Sequence, residues 1–219
     1  MRLVYVYVVC VAVFSVNVQA QQRSDSRANK FDIFIGPQYI ASQTISFDHS
    51  AKAELNSRAS LLFGMGYNFN QHFAIDASFS ASSGNYKGTS YNKLGEANTF
   101  TSDLHSSAFN MSATYNILPG NFTPFITGIL GFTYIDTGVR NGSVSQGCWW
   151  DPWYGYQCTT YADTYSETKF NYGGMIGLRY DFPNSVFVKG GAGLNYLDIS
   201  MADHTGFTFY NLMVGYSFR

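Results

Sequence analysis

The stretch "TFYNLMVGYSFR", residues 208–219, decides how the chain is read. In an extended strand successive side chains point to opposite faces. Tyr210, Leu212, Val214, Tyr216 and Phe218 therefore share one face, and Phe209, Asn211, Met213, Gly215 and Ser217 share the other. The first face is wholly apolar with aromatics at both ends; the second mixes large, small and polar side chains. Helical spacing is hard to find elsewhere in the chain, whereas this period-2 alternation recurs in eight segments.

The sixth segment repeats the pattern most closely. Phe170, Tyr172, Gly174, Ile176, Leu178, Tyr180 and Phe182 oppose Asn171, Gly173, Met175, Gly177, Arg179 and Asp181, and the first set carries no charge. In the fourth, Phe109, Met111, Ala113, Tyr115 and Ile117 oppose Ala108, Asn110, Ser112, Thr114 and Asn116. The third sets Phe73, Ile75, Ala77 and Phe79 against Ala74, Asp76, Ser78 and Ser80, and the second sets Leu61, Phe63, Met65, Tyr67 and Phe69 against Leu62, Gly64, Gly66 and Asn68. The first, fifth and seventh segments are less regular. Their apolar faces are read as Ile33, Ile35 and Tyr39, as Ile126, Leu130, Phe132 and Tyr134, and as Val186, Val188, Leu194 and Tyr196.

Short links near Asn70–His72, Leu118–Phe122 and Asp181–Ser185 alternate with longer ones at roughly 40–59, 82–105, 136–168 and 199–206. Such alternation describes up-and-down hairpins whose two ends meet different surroundings. Composition says what those surroundings are. Only 12% of residues are charged, against about 25% in a typical soluble domain, while 18% are aromatic and the net charge is −1.

A soluble eight-stranded ligand-binding barrel would put its apolar face inward and charges outward. Here the second face is rich in Gly, Ser, Asn and Thr, suited to the inside of a narrow barrel, and the aromatic-fringed apolar face suits lipid. Backbone groups in lipid must all be paired, which closes the sheet on itself. The fold expected is all-β: an eight-stranded antiparallel up-and-down transmembrane barrel with short periplasmic turns and long extracellular loops. After the N-terminal segment no apolar run is long enough for a membrane helix. With no basic cluster, nucleic acid is not expected as a partner.

The chain opens "MRLVYVYVVCVAVFSVNVQAQQ", one Arg, a short apolar run and small residues before a cut after Ala20. Residues 1–20 are read as a cleavable secretory signal peptide, 21–30 as a flexible periplasmic lead, and 31–219 as the barrel. Removal of the signal takes Cys10 with it. Cys148 and Cys158 remain, within "GCWWDPWYGYQC", residues 147–158. Their spacing is not that of a redox pair, and the histidines are scattered, so in an oxidising compartment a disulfide is expected and no metal.

In order and spacing, "TPFITGILGFTYID" (123–136), "FNYGGMIGLRYDF" (170–182), "VKGGAGLNYLDI" (188–199) and the aromatic last strand resemble the small outer-membrane β-barrel proteins of the OmpA/OmpW/opacity-protein type. The resemblance covers essentially the whole mature chain. It implies the outer membrane of a Gram-negative cell, contact with outer-membrane lipid including lipopolysaccharide, and passage through the barrel assembly machinery. The last strand, through Tyr210, Leu212, Val214, Tyr216 and Phe218, is similar to the C-terminal signal that machinery reads, except that Arg219 follows the terminal aromatic. No periplasmic domain is expected after the strand, so a peptidoglycan-anchoring role is not carried over.

Asp32, Asp76, Arg179, Asp181 and Lys189 are the charges expected inside the barrel, all in its periplasmic half. A barrel this narrow is filled by its own side chains, so a salt-bridged plug is expected, with Asp76 paired to Arg179 or Lys189. A small passive pore is the alternative use of the same charges. The expected function is structural and surface-exposed, with loops for interaction or adhesion, no cofactor and no enzymatic activity. An enzyme acting on lipid A, as deacylase or acyltransferase, is the other alternative; its candidate groups are Asp203 and His204 near Ser200, and His105 near Asp103, Ser106 and Ser107. Trp149, Trp150, Trp153, Tyr154 and Tyr156 admit two readings, a small core that folds the loop over the barrel mouth or an exposed patch for an unidentified extracellular ligand.

Overall fold

The computed structural model describes residues 27–46, 52–91, 97–151, 155–198 and 205–219. The expected signal peptide, the first part of the expected lead, Trp153, Tyr154, Ser200, Asp203 and His204 lie outside these. Among the described residues the strands are β1 (Lys30–Ile40), β2 (Gln43–Ser46), β3 (Lys52–Leu55), β4 (Arg58–Asn68), β5 (Phe73–Tyr91), β6 (Ala97–Asn116), β7 (Phe122–Asp151), β8 (Gly155–Asp181), β9 (Val186–Leu197) and β10 (Thr205–Phe218).

Eight of these close a ring in which every neighbour is antiparallel: β1, β4, β5, β6, β7, β8, β9, β10 and back to β1. Closure leaves no edge inside the hydrocarbon, which is the condition lipid imposes. The expected faces hold. Ile33, Ile35, Phe63, Met65, Leu130, Ile176, Leu212 and Val214 are each about half exposed or more, between 49% and 66%. Two rings of aromatics bound that band. Phe31–Tyr67 and Tyr180–Phe182 touch at the short-turn end, with ring centroids 4.8 and 4.7 Å apart, and Tyr39–Tyr210 and Phe132–Phe170 at the other, 6.3 and 5.7 Å apart. The run from Phe31 to Tyr39 matches the roughly 9–11 residues a tilted strand needs to cross the bilayer.

The long connections are where the structure adds most. The β5–β6 pairing continues to Tyr91↔Ala97, and the β7–β8 pairing to Asp151↔Gly155, far beyond the aromatic ring. The β2–β3 hairpin lines up on the outer part of β5, with Lys52–Leu55 opposite Tyr86–Thr89. The expected loops are thus largely hairpin. Sequences such as "YQCTTYADTYSETK" have the β-branched and aromatic residues a strand favours but no apolar face, because outside the bilayer nothing demands one.

At the base of the β7–β8 extension the register shifts between Asp136 and Arg140. Gly138 sits there at φ 63°, a left-handed conformation costly to any residue with a Cβ, and an added Cβ would lie 2.6 Å from the Asp103 carbonyl oxygen. The Gly138 amide donates to Asp136 Oδ1 at 3.0 Å, and together with the Thr164 hydroxyl it holds that carboxyl below the ordinary carboxylate range. Gly138→Val is expected to cost at least about 1–2 kcal/mol locally. Hydrogen exchange should quicken over 137–165 while amides of 122–134 keep wild-type protection.

Candidate functional site

The interior near the periplasmic end carries two interleaved sets of side chains, one charged and one apolar. In the charged set Arg179 of β8 binds Asp32 of β1, Nη1 to Oδ2 at 2.7 Å, and Asp181, Nη2 to Oδ1 at 2.8 Å. Ser217 Oγ donates to Asp32 Oδ1 at 2.6 Å, which occupies the second carboxylate oxygen. Lys189 of β9 pairs with Asp76 of β5, Nζ to Oδ2 at 3.2 Å, and Thr114 Oγ1 donates to the same oxygen at 3.2 Å. The five expected charges therefore form two groups: Asp76 takes Lys189, while Arg179 takes Asp32 and Asp181.

Arg27 joins them, although it lies within the stretch read as a flexible lead. It is 6% exposed, its Nη2 is 3.2 Å from Asp181 Oδ2, and it donates to the Gly120 carbonyl. Burial pushes its guanidinium below the ordinary value and Asp181 pulls it back up. The polar composition of residues 21–30 gave no sign of this contact, because it depends on a turn that lies far along the chain.

The second set is apolar: Phe34, Leu62, Phe125, Met175, Phe187, Phe209 and Met213. It was not expected, since these side chains sit on the face otherwise given to small and polar residues. The geometry that admits them is a set of glycines on neighbouring strands. A Cβ on Gly64, Gly177, Gly193 or Gly215 would collide with the ring of Phe34, Phe125, Phe209 or Phe187 respectively. The two sets also touch. Arg179 Cζ lies 4.0 Å from the centroid of Phe187, and Lys189 Nζ lies 4.9 Å from that of Phe125, so each buried cation is capped by a ring.

A narrow cavity of about 100 Å³ runs outward from the Lys189–Asp76 pair, and its lining mixes Ser78, Ser80, Ser82, Ser106 and Asn110 with Phe34, Leu62, Met175 and Phe209. At the far end of the molecule Cys148 and Cys158 are cross-strand partners joined by a disulfide, with Cα atoms 4.1 Å apart. Trp150 and Tyr156 are the partners two residues further out, on the same face as the disulfide, and are 71% and 68% exposed.

The outer membrane protein beta-barrel domain matches residues 7–218, nearly the full length. The chain belongs to that family. It is accordingly an outer-membrane protein, and its outer face is the lipid face. No curated protein matches it in sequence. Two solved barrels are similar in fold. The outer membrane protein OprG from Pseudomonas aeruginosa is 15% identical, with 88% of this chain and 97% of that chain covered and a TM-score of 0.52. Neisserial surface protein A is 14% identical, with 85% of this chain and 95% of that chain covered and a TM-score of 0.50.

Within this outer-membrane barrel the other expected residues fall as follows. Tyr210, Leu212, Val214, Tyr216 and Phe218 line the lipid face of β10, each between 42% and 54% exposed. Asp103, His105 and Ser107 share one face of β6, and Ser106 lies on the opposite face, where its hydroxyl is 2.8 Å from that of Ser82. That separation of faces does not bring His105 to Ser106 as a nucleophile–base pair.

Proposed function

We propose that the protein is a non-enzymatic, sealed outer-membrane barrel that holds a disulfide-stapled aromatic hairpin tip above the cell surface for recognition or adhesion. The observation that carries this reading is the placement of Trp150 and Tyr156. They project from a ribbon that pairs with no other strand among the described residues beyond Asp136. At about 3.3 Å per residue, the run from Asp136 to Asp151 is roughly 50 Å long. An aromatic pair that far from the barrel is not serving the barrel's own packing, and large exposed aromatics are enriched where partners bind. The disulfide fixes the register of the two strands beneath them; by chain entropy alone a closed loop of this length is worth about 3 kcal/mol.

The charged and aromatic layers support the sealed reading over a passive pore. Asp32, Phe125 and Phe187 are each 1% exposed, which leaves little free cross-section between β1, β7 and β9. Export through a signal at residues 1–20, insertion directed by the β10 face, and contact of the lipid face with lipopolysaccharide complete the proposal.

Fractionation should place the protein in outer membranes, and its unboiled form should migrate apart from the boiled form on a gel. A non-adherent strain displaying it should gain adhesion to epithelial monolayers. Trp150→Ala with Tyr156→Ala should remove most of that gain, with surface level and heat-modifiability unchanged. Adhesion equal to wild type in the double variant would sink the recognition role of the tip.

A further inference from the structure

A second cavity, of about 490 Å³, opens above the outer aromatic ring, within the range usual for small-molecule sites. The extensions wall it, and the outer ends of the barrel strands close it below through Arg58, Ser106, Thr133, Leu197 and Phe207. Ile45 of β2, Leu55 of β3, Tyr86 of β5, Leu104 of β6 and Phe207 of β10 line it, and each is only 7% to 9% exposed. Lipid does not account for apolar side chains placed here. Five separate strands bring them to one place, where they form a single cluster.

The charges on the lining are unbalanced. Lys52, Arg58 and Lys169 face Glu167, the one carboxylate among the described lining residues, and Glu167 is 2.5 Å from Lys169. Arg58 borders both this cavity and the narrow one below it, so it stands at the floor. Its Nε donates to Ser82 Oγ at 3.2 Å and its guanidinium stands 6.0 Å from the Phe207 ring; no described carboxylate is within ion-pair distance. The deeper cations are treated differently: Arg179 and Lys189 each have their own aspartate. A partly buried guanidinium with no counter-ion among the described residues, under apolar walls, is a site for an oxyanion carried on an apolar body.

We propose that the extracellular mouth binds an anionic amphiphile, its hydrocarbon between Leu55, Tyr86, Leu104 and Phe207 and its oxyanion on the Arg58 guanidinium. The planar fork of Arg58 suits a carboxylate or a phosphate. This inference is independent of the hairpin tip, because Trp150 and Tyr156 are not on the lining.

The test is calorimetric titration of the full mature chain in lipid nanodiscs with decanoate, decyl phosphate and decanol, with empty nanodiscs subtracted. Wild type should show a saturable one-to-one component for one or both anions, at least tenfold tighter than for decanol. Which anion binds tells carboxylate from phosphate. Arg58→Gln should weaken the anion at least tenfold and leave decanol unchanged; Arg58→Lys should lose only a few-fold. Leu104→Asp should abolish binding of all three. Signals no larger than empty nanodiscs for both anions would overturn the proposal. So would equal affinity for anion and alcohol, or an Arg58→Gln variant that folds by heat-modifiability and binds like wild type.

Discussion

Arg179→Met is expected to lower the unfolding free energy of the barrel by about 3–5 kcal/mol, the usual cost of removing one partner from a buried ion pair. The loss exceeds that of the hydrogen bonds alone. Among the described residues Asp32, 1% exposed, would keep only the Ser217 hydroxyl, and Asp181 would keep Arg27 beside a vacated guanidinium site. The ring of Phe187 would also lose the cation that lies 4.0 Å from its centroid. Removing the stranded charge as well should recover much of the stability, since a well-packed apolar replacement of a buried pair is often neutral. The order expected in urea titrations of refolded barrel is therefore wild type, then Arg179→Met with Asp32→Leu, then Arg179→Met alone. A single variant that unfolds at the wild-type midpoint would show that the Arg179 cluster contributes nothing to the plug.

The lipid face was legible because the bilayer imposes one demand on every position of it, and alternation records that demand locally. Tyr210 to Phe218 on β10 and Phe170 to Phe182 on β8 needed no knowledge of their neighbours. The interior charges could be found in the same way, since Asp76, Arg179 and Lys189 stand out among Gly, Ser and Asn. Their partners could not. Pairing depends on the register and shear of strands far apart in sequence, and those put Lys189, not Arg179, on Asp76 and draw Asp32 to Arg179. The phenylalanine layer escaped for a related reason: Phe187 and the glycine that makes room for it lie on different strands, so neither residue signals the contact by itself. The outer extensions escaped because the rule that revealed the strands stops at the membrane surface. In "RNGSVSQGCWW" the strand pairing continues although the sequence carries no apolar alternation, so hydrophobic period is silent where the backbone ladder goes on.

Phe187→Ala carries the second large effect, about 3–5 kcal/mol, as for other buried aromatic truncations. The ring is 1% exposed and fills the notch left by Gly215 on β10, where a Cβ would strike its edge. Gly215→Leu alone should destabilise too, because a Cβ there would lie 2.3 Å from the Phe187 ring and 2.5 Å from the Ile33 carbonyl oxygen, at a typical cost of about 1–3 kcal/mol. Combined, the two changes restore volume to one site from the other strand, so the double variant should be more stable than the sum of the singles predicts. Purely additive losses would mean that Phe187 and Gly215 do not share a packing site. The same variants read the state of the barrel interior. Wild type should be silent in planar-bilayer recordings at the bandwidth of a steady pore. Phe187→Ala with Phe125→Ala should admit small ions, because it removes the two rings packed against Arg179 and Lys189 and widens the way to the cavity that Lys189 and Asp76 line, while leaving their aspartates in place. A wild-type barrel that conducts as steadily as that double variant would show that the aromatic layer is not what closes it.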